Sequence, residues 1–264
     1  MNIPELHSIR TIRKQYHTGE EPVLVKCSDL NEYICKYMRS SATPYKLVCE
    51  VIGGMLASEW GLRLPEFTFV KILPEHWTPF RTINLSSPAF GSKFQSSVID
   101  ITASWNNNIL ISPAIQKQIM SIALFDIWIA NEDRNWNNAN LMYSTKAKEL
   151  IVIDHGCILN TATFDYNLSL LTENESILYS ELAKEILKGI TLNDTRSFLS
   201  DLKSEFECIK TRKEEVINRI LENIPVAWNV NGEMVRSKMN QLFDNEWMDR
   251  CWNTFVEYFN EAKR

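Results

Sequence analysis

Asp133, Asn138 and Asp154 are hard oxygen donors at a spacing that suits a metal-bound nucleotide. The first two lie in the polar run Asn131-Glu132-Asp133-Arg134-Asn135-Trp136-Asn137-Asn138, and the third opens Asp154-His155-Gly156 after the apolar run Leu150-Ile151-Val152-Ile153. Magnesium is held by one or two carboxylates together with substrate phosphates, so a carboxylate and an amide facing each other suit magnesium-bound ATP. An Asp base, an Asn five positions on and a second Asp shortly before Gly is also the layout of a protein-kinase catalytic loop and its metal-binding turn. Either piece alone is weak, because Asn and Asp commonly cap helices and build turns. Their order strengthens the signal, and so does the segment between them.

That segment reads as a hairpin, with strand-type runs Leu141-Met142-Tyr143 and Leu150 to Ile153 flanking the polar turn Ser144 to Glu149. A symmetric turn sets Ala139 opposite Asp154 and gathers Asp133, Asn138 and Asp154 at the open end. A helix from Ser112-Pro113 to about Ala130 delivers the loop, with Ile115, Ile119, Ile122, Phe125 and Ile129 on one face. Arg134 either pairs with a carboxylate to fix the loop or faces the transferred phosphate.

The chemistry also needs a cation for the phosphates, and the first third of the chain supplies one. Candidate strands at Ile12 to Tyr16, Pro22 to Cys27 and Tyr33 to Met38 precede a helix from Pro44 to Trp60 and a strand from Glu66 to Ile72. Pro44 suits the first turn of that helix and Gly61 the residue past its end. Lys36 sits within the third strand, where a lysine is either on a solvated edge or paired. Glu50, on the helix, is the expected partner that positions Lys36 on the phosphates. Gly53 and Gly54 cost helix stability and mark close packing.

The loop His17-Thr18-Gly19 is the candidate phosphate cover, with one glycine where protein kinases carry three. No Gly-x4-Gly-Lys-Ser/Thr segment is present, which removes the P-loop class. Ser86 to Phe94 reads as a turn-rich hinge in which Phe90, Gly91 and Lys93 set backbone groups against adenine. Downstream, helices are expected at Ser176 to Lys188, Asp194 to Cys208, Lys213 to Asn223, Gly232 to Phe243 and Glu246 to Lys263. The fold class is α+β and bilobal, with a strand-rich lobe over 1–88, a hinge over 89–96 and a mostly helical lobe over 97–264. Acceptor recognition falls to loops such as Ile101 to Ser112 and Thr161 to Asn174.

The 264 residues are 45% hydrophobic and 23% charged, as expected of a globular chain with one large core or two modest ones. A net charge of -5 argues against a broad nucleic-acid surface. No apolar run reaches membrane-spanning length and no secretion signal is legible, so a cytoplasmic setting is expected. The six cysteines form no Cys-x-x-Cys pair and read as reduced packing residues, and the four histidines show no zinc spacing. Cys157, directly after the Asp-His-Gly turn, is read as structural, with reach by electrophiles as the alternative.

These residues resemble the HipA-like kinase family, particularly its short members. The resemblance is carried by Tyr33-Ile34-Cys35-Lys36-Tyr37, by Glu50 ahead of Trp60-Gly61-Leu62-Arg63-Leu64-Pro65-Glu66, and by Phe90-Gly91-Ser92-Lys93-Phe94. Asn131-x-Asp133-Arg134-x3-Asn138 with Ile153-Asp154-His155-Gly156 is its most specific part, and is similar also to type II phosphatidylinositol 4-kinases. The resemblance implies a bilobal kinase that uses magnesium and ATP and phosphorylates a Ser or Thr hydroxyl of a protein. Family members include toxins of bacterial toxin–antitoxin pairs, which makes an antitoxin-like protein a candidate partner. The chain is expected to lack the additional N-terminal region of the long toxins. A small-molecule or lipid kinase on the same fold and a non-catalytic nucleotide-binding module are the alternatives.

Overall fold

The computed structural model describes residues 2–39, 44–78, 84–101 and 109–263. Six strands build the first sheet: β1 (Glu5–His7), β2 (Lys14–Gln15), β3 (Val23–Lys26), β4 (Glu32–Lys36), β5 (Phe67–Lys71) and β6 (Ala89–Lys93). Their order is β1-β5-β6-β4-β3-β2; β1 pairs parallel to β5 and the other neighbours are antiparallel. Period-2 alternation divides each strand between two faces. Tyr33, Cys35 and Val70 join Val23, Val25 and Ile72 in a small outer core. Phe69 and Phe90 turn the other way, into the main core with helix α1 (Tyr45–Trp60). Gly61 closes α1 at φ 84°, a left-handed conformation that glycine adopts without a Cβ clash.

Two expectations need correction here. Ala89–Lys93 was expected within a hinge, but it is a strand hydrogen-bonded on both sides, to β4 and β5. Its small residues serve packing: a Cβ on Gly91 would lie 2.8 Å from Val70 Cγ2 and 3.3 Å from Cys35 Sγ. Gly91 therefore faces the outer core, and its main chain is engaged by the sheet rather than offered to a base. Secondly, helix α2 (Pro113–Trp128) is capped by Ser112 as expected, yet from Ile122 to Trp128 it is buried on every face. It runs between the hairpin and the last helix, so no face is left for water.

The hairpin is formed by β8 (Leu141–Ser144) and β9 (Glu149–Val152), and β7 (Ile99–Ile101) pairs with β8 on the other side. Leu141 pairs with Val152 and Ser144 with Glu149, a register that extrapolates to Ala139 opposite Asp154. Helices α3 (Glu181–Leu187), α4 (Leu192–Lys210), α5 (Lys213–Asn223), α6 (Gly232–Leu242) and α7 (Asn245–Ala262) complete the larger lobe. The two lobes interlock. Ser87 Oγ donates to the Ala227 carbonyl, and the buried Trp228 donates its indole N–H to Pro88 and packs edge-on against Phe69. No described helix is long and apolar enough to cross a membrane.

A Cβ at position 53 would fall 2.4 Å from His155 Cβ, whereas one at Gly54 meets only the Phe67 ring at 3.3 Å and one at Gly19 meets nothing within 4 Å. Overpacking of this kind costs about 1–3 kcal/mol. Gly53→Ala should lower Tm in calorimetry by roughly 2–12 °C, while Gly19→Ala leaves it unchanged.

Candidate active site

Lys36 is the centre of the site. Strand β4 lies inside the sheet, so its lysine is on no solvated edge, and the side chain is only 14% exposed. Its ammonium donates to Glu50 Oε1 at 2.5 Å and to Asp154 Oδ1 at 2.6 Å. Burial pulls the Lys36 ammonium toward neutrality, but the two carboxylates outweigh it and hold the group above its ordinary value. Burial likewise pushes Asp154 upward, and Lys36 reverses this, holding Asp154 well below the usual carboxylate range. Glu50 is buried more deeply, and desolvation lifts it even against the pull of Lys36.

The Asp154-His155-Gly156 turn is shaped around this cluster. Asp154 is left-handed at φ 58°, and its Oδ1 also accepts from the Gly156 N–H at 3.3 Å. The His155 N–H donates to Glu50 Oε2 at 3.0 Å. A Cβ on Gly156 would stand 3.1 Å from Glu50 Oε1, a tight contact from which the carboxylate would have to shift by a few tenths of an ångström. The His155 ring is buried against Gly53, and burial holds its imidazole down to about 3, so it is neutral at working pH.

The polar loop is fixed to both sides of Asp154. Arg134, fully buried, pairs with the buried Asp126 of α2 and donates to the Ile153 carbonyl at 2.9 Å. The Glu132 N–H donates to the Cys157 carbonyl at 3.3 Å. Of the two sequence readings of Arg134, the structure selects the loop-fixing one. Asn131 donates to Asp126, and Asn135 Oδ1 accepts from the amides of Asn137 and Asn138. Asn131 and Asn135 are thus turn-builders, as Asn often is. Asn138 is partly exposed, with its carbonyl accepting from Asn135 N–H at 2.8 Å. Asp133 is partly exposed, and its Oδ2 accepts from Asn140 Nδ2 at 2.9 Å. Asp126 and Asn140 were missed by sequence reasoning; a buried Asp eight positions before an Arg was the available signal for the first.

A cleft of about 610 Å³ opens between the lobes. Ile34, Phe67 and Phe90 line it from the sheet, Met142 and Val152 from the hairpin, and Lys36, Glu50 and Asp154 close one end. An apolar slot with polar groups at one end suits a nucleotide. Of the expected phosphate cover, Thr18 lines the cleft together with Lys14 and Tyr16, while His17 and Gly19 do not. Phe90 and Lys93 line it, and Gly91 does not. Among the described residues, no main-chain bond engages 95–98, so the stretch after β6 is where backbone groups remain for a base. Of the expected acceptor loop Ile101 to Ser112, residues 102–108 lie outside the described residues. The other, Thr161 to Asn174, is tied to the polar loop by Glu132, which accepts from Asn160 Nδ2 at 3.0 Å and from Thr161 Oγ1.

All six cysteines are free, as expected. Burial pushes the Cys157 thiol up to about 11, which makes it a poor nucleophile.

Two lobes, a cleft between them and a Lys–Glu–Asp cluster at its end define a kinase. The profile of the HipA-like kinase family matches residues 9–255, and the chain belongs to that family. Among solved structures it is similar to a Helicobacter pylori proinflammatory kinase, CtkA, with a TM-score of 0.59 at 11% identity over 96% of this chain and 98% of that one. A Golgi casein kinase aligns at a TM-score of 0.46 and 10% identity, over 99% of this chain and 74% of the other. No curated protein matches the chain in sequence.

Burial pushes the Asp126 carboxyl up to about 6, although Arg134 opposes it. Arg134→Met removes that opposition and leaves a buried carboxylate alone, at a cost of roughly 3–5 kcal/mol. The carboxylate is relieved by protonation, so the deficit grows as pH rises through and above 6. Urea unfolding of both chains should show a larger difference at pH 8 than at pH 5.

Proposed function

We propose that the chain transfers the γ-phosphate of ATP to a Ser or Thr hydroxyl of a protein. The observation that carries this reading is the Lys36 ammonium held between Glu50 and Asp154 at the end of an apolar cleft. Lys36 binds the nucleotide phosphates and Glu50 keeps it aimed at them. Ile34 and Phe90 above, with Met142 and Val152 below, hold the base. Asp133 orients the acceptor hydroxyl and takes its proton as the oxygen bonds to phosphorus and the bond to ADP breaks.

The donor types suit a divalent ion: an ionised carboxylate on Asp154 and the amide oxygen of Asn138 would hold it. Magnesium held there would neutralise charge on the phosphates. His155, held neutral, adds no positive charge of its own beside Asp154. Family membership extends the proposal to a bacterial toxin–antitoxin setting, with an antitoxin-like protein as the restraining partner. A small-molecule or lipid acceptor and a non-catalytic module are the readings that the experiment separates.

Calorimetry of magnesium-dependent ATP binding, followed by radiolabel transfer to the chain itself and to bacterial lysate, tests the proposal. Asp154→Ala should abolish binding and transfer together. Asp133→Ala should keep ATP binding and lose transfer by roughly 100-fold or more. Lys148→Ala, on the exposed hairpin turn, should match the wild type; equal loss from Lys148→Ala and Asp154→Ala would sink the assignment. Label in lipid or small metabolites instead of a protein band would move the acceptor class. Binding without transfer to any acceptor would favour the non-catalytic reading.

A further inference from the structure

We infer that Asn140 is a positioning residue for the acceptor base; the inference rests on the reading of Asp133 given above. Asn140 stands where the polar loop becomes β8, in the left-handed region at φ 43°, which Asn tolerates better than most residues. Its carbonyl accepts from Ile153 N–H at 3.1 Å and from Arg134 Nε at 3.4 Å. The main chain of Asn140 is therefore tied to the residue before Asp154 and to the buried Arg134.

From that fixed point the side-chain amide reaches back to Asp133. Nδ2 donates to Asp133 Oδ2 at 2.9 Å and lies 3.4 Å from the Asp133 carbonyl. A carboxylate on a partly exposed loop would otherwise sample several rotamers. The amide selects one, occupies Oδ2 and leaves Oδ1 for the incoming hydroxyl. It also couples the base to the Asp154 turn, because the same residue holds Ile153. Asn138, five residues after Asp133, has no such bond to it among the described residues.

Two substitutions separate side chain from backbone. Asn140→Gly keeps the left-handed turn and removes the amide, while Asn140→Asp keeps the shape and replaces the donor with a like charge. Both should bind ATP as the wild type does, unfold at the same temperature and lose γ-phosphate transfer, to water and to the chain itself, by roughly 100-fold. Wild-type turnover in either variant overturns the inference. Loss of ATP affinity and Tm along with turnover in both also overturns it, since the residue would then be a scaffold only. Asp133→Ala in the same series keeps the two readings apart: wild-type turnover there sinks the base assignment, whereas its loss beside fully active Asn140 variants sinks only the positioning role.

Discussion

Burying one ammonium with two carboxylates constrains the rest of this molecule. Each charge taken out of water costs several kcal/mol, on the order of what a whole domain has to spare, and mutual attraction offsets this only with close geometry. Lys36 meets that demand from an interior strand, Glu50 from the helix across it and Asp154 from the end of the hairpin. The surrounding small residues follow from the same demand. Gly156 lets the turn approach Glu50, Gly53 lets His155 lie against α1, and the His155 N–H satisfies the second Glu50 oxygen. One buried cation thus fixes three elements that are far apart in sequence. Asp154 is the more exposed of the two carboxylates, at 33% against 4% for Glu50, and on the proposed mechanism it is the one that would hold a metal ion.

Helix α1 does not rely on this cluster alone. Tyr45 stacks on Phe164 after the Asp-His-Gly turn, Glu59 is bridged by Arg212 and Arg219, and Trp60 stacks on Trp128 of α2. Trp60 also donates its indole N–H to Ser121 at 2.9 Å. The helix that carries Glu50 is thereby docked to the larger lobe along its whole length. Swinging it outward would break aromatic packing and ionic contacts at both ends at once, so Glu50 stays aimed at Lys36 without help from a ligand.

The sequence displayed some of this directly. Hairpin register followed from the polar turn, and helix bounds from Pro44, Gly61 and Ser112, because caps and turns are local signals. Lys36 and Glu50 were legible as a pair because a lysine in an apolar strand is either on a solvated edge or paired, and the structure puts β4 inside the sheet. The rest depended on long-range packing. Pairing of β1 with β5 joins residues more than sixty positions apart, and neither strand announces it. The small residues around Gly91 imitate a turn, although Val70 and Cys35 on the sheet's outer face are what exclude a side chain there. Asp126, one acid in an apolar helix, carries no local signal of its role, which is set by the Arg134 side chain packed against it.

The glycine-poor cover of the cleft becomes intelligible on the same terms. In a glycine-rich loop the main chain approaches the phosphates, and Gly is needed for that approach and for φ above zero. Gly19 does not have φ above zero, and no protein atom crowds the place a Cβ would take. Lys14 on β2, with Tyr16 and Thr18 in the stretch after it, lines the cleft, while His17 and Gly19 do not. Lys14 Nζ lies 4.4 Å from the centre of the Tyr16 ring, which holds a cation at the cleft wall. On the proposed function, this wall of the cleft would meet a nucleotide with a lysine, a phenol and a hydroxyl. On that reading a single glycine suffices, because side chains rather than bare backbone would make the approach.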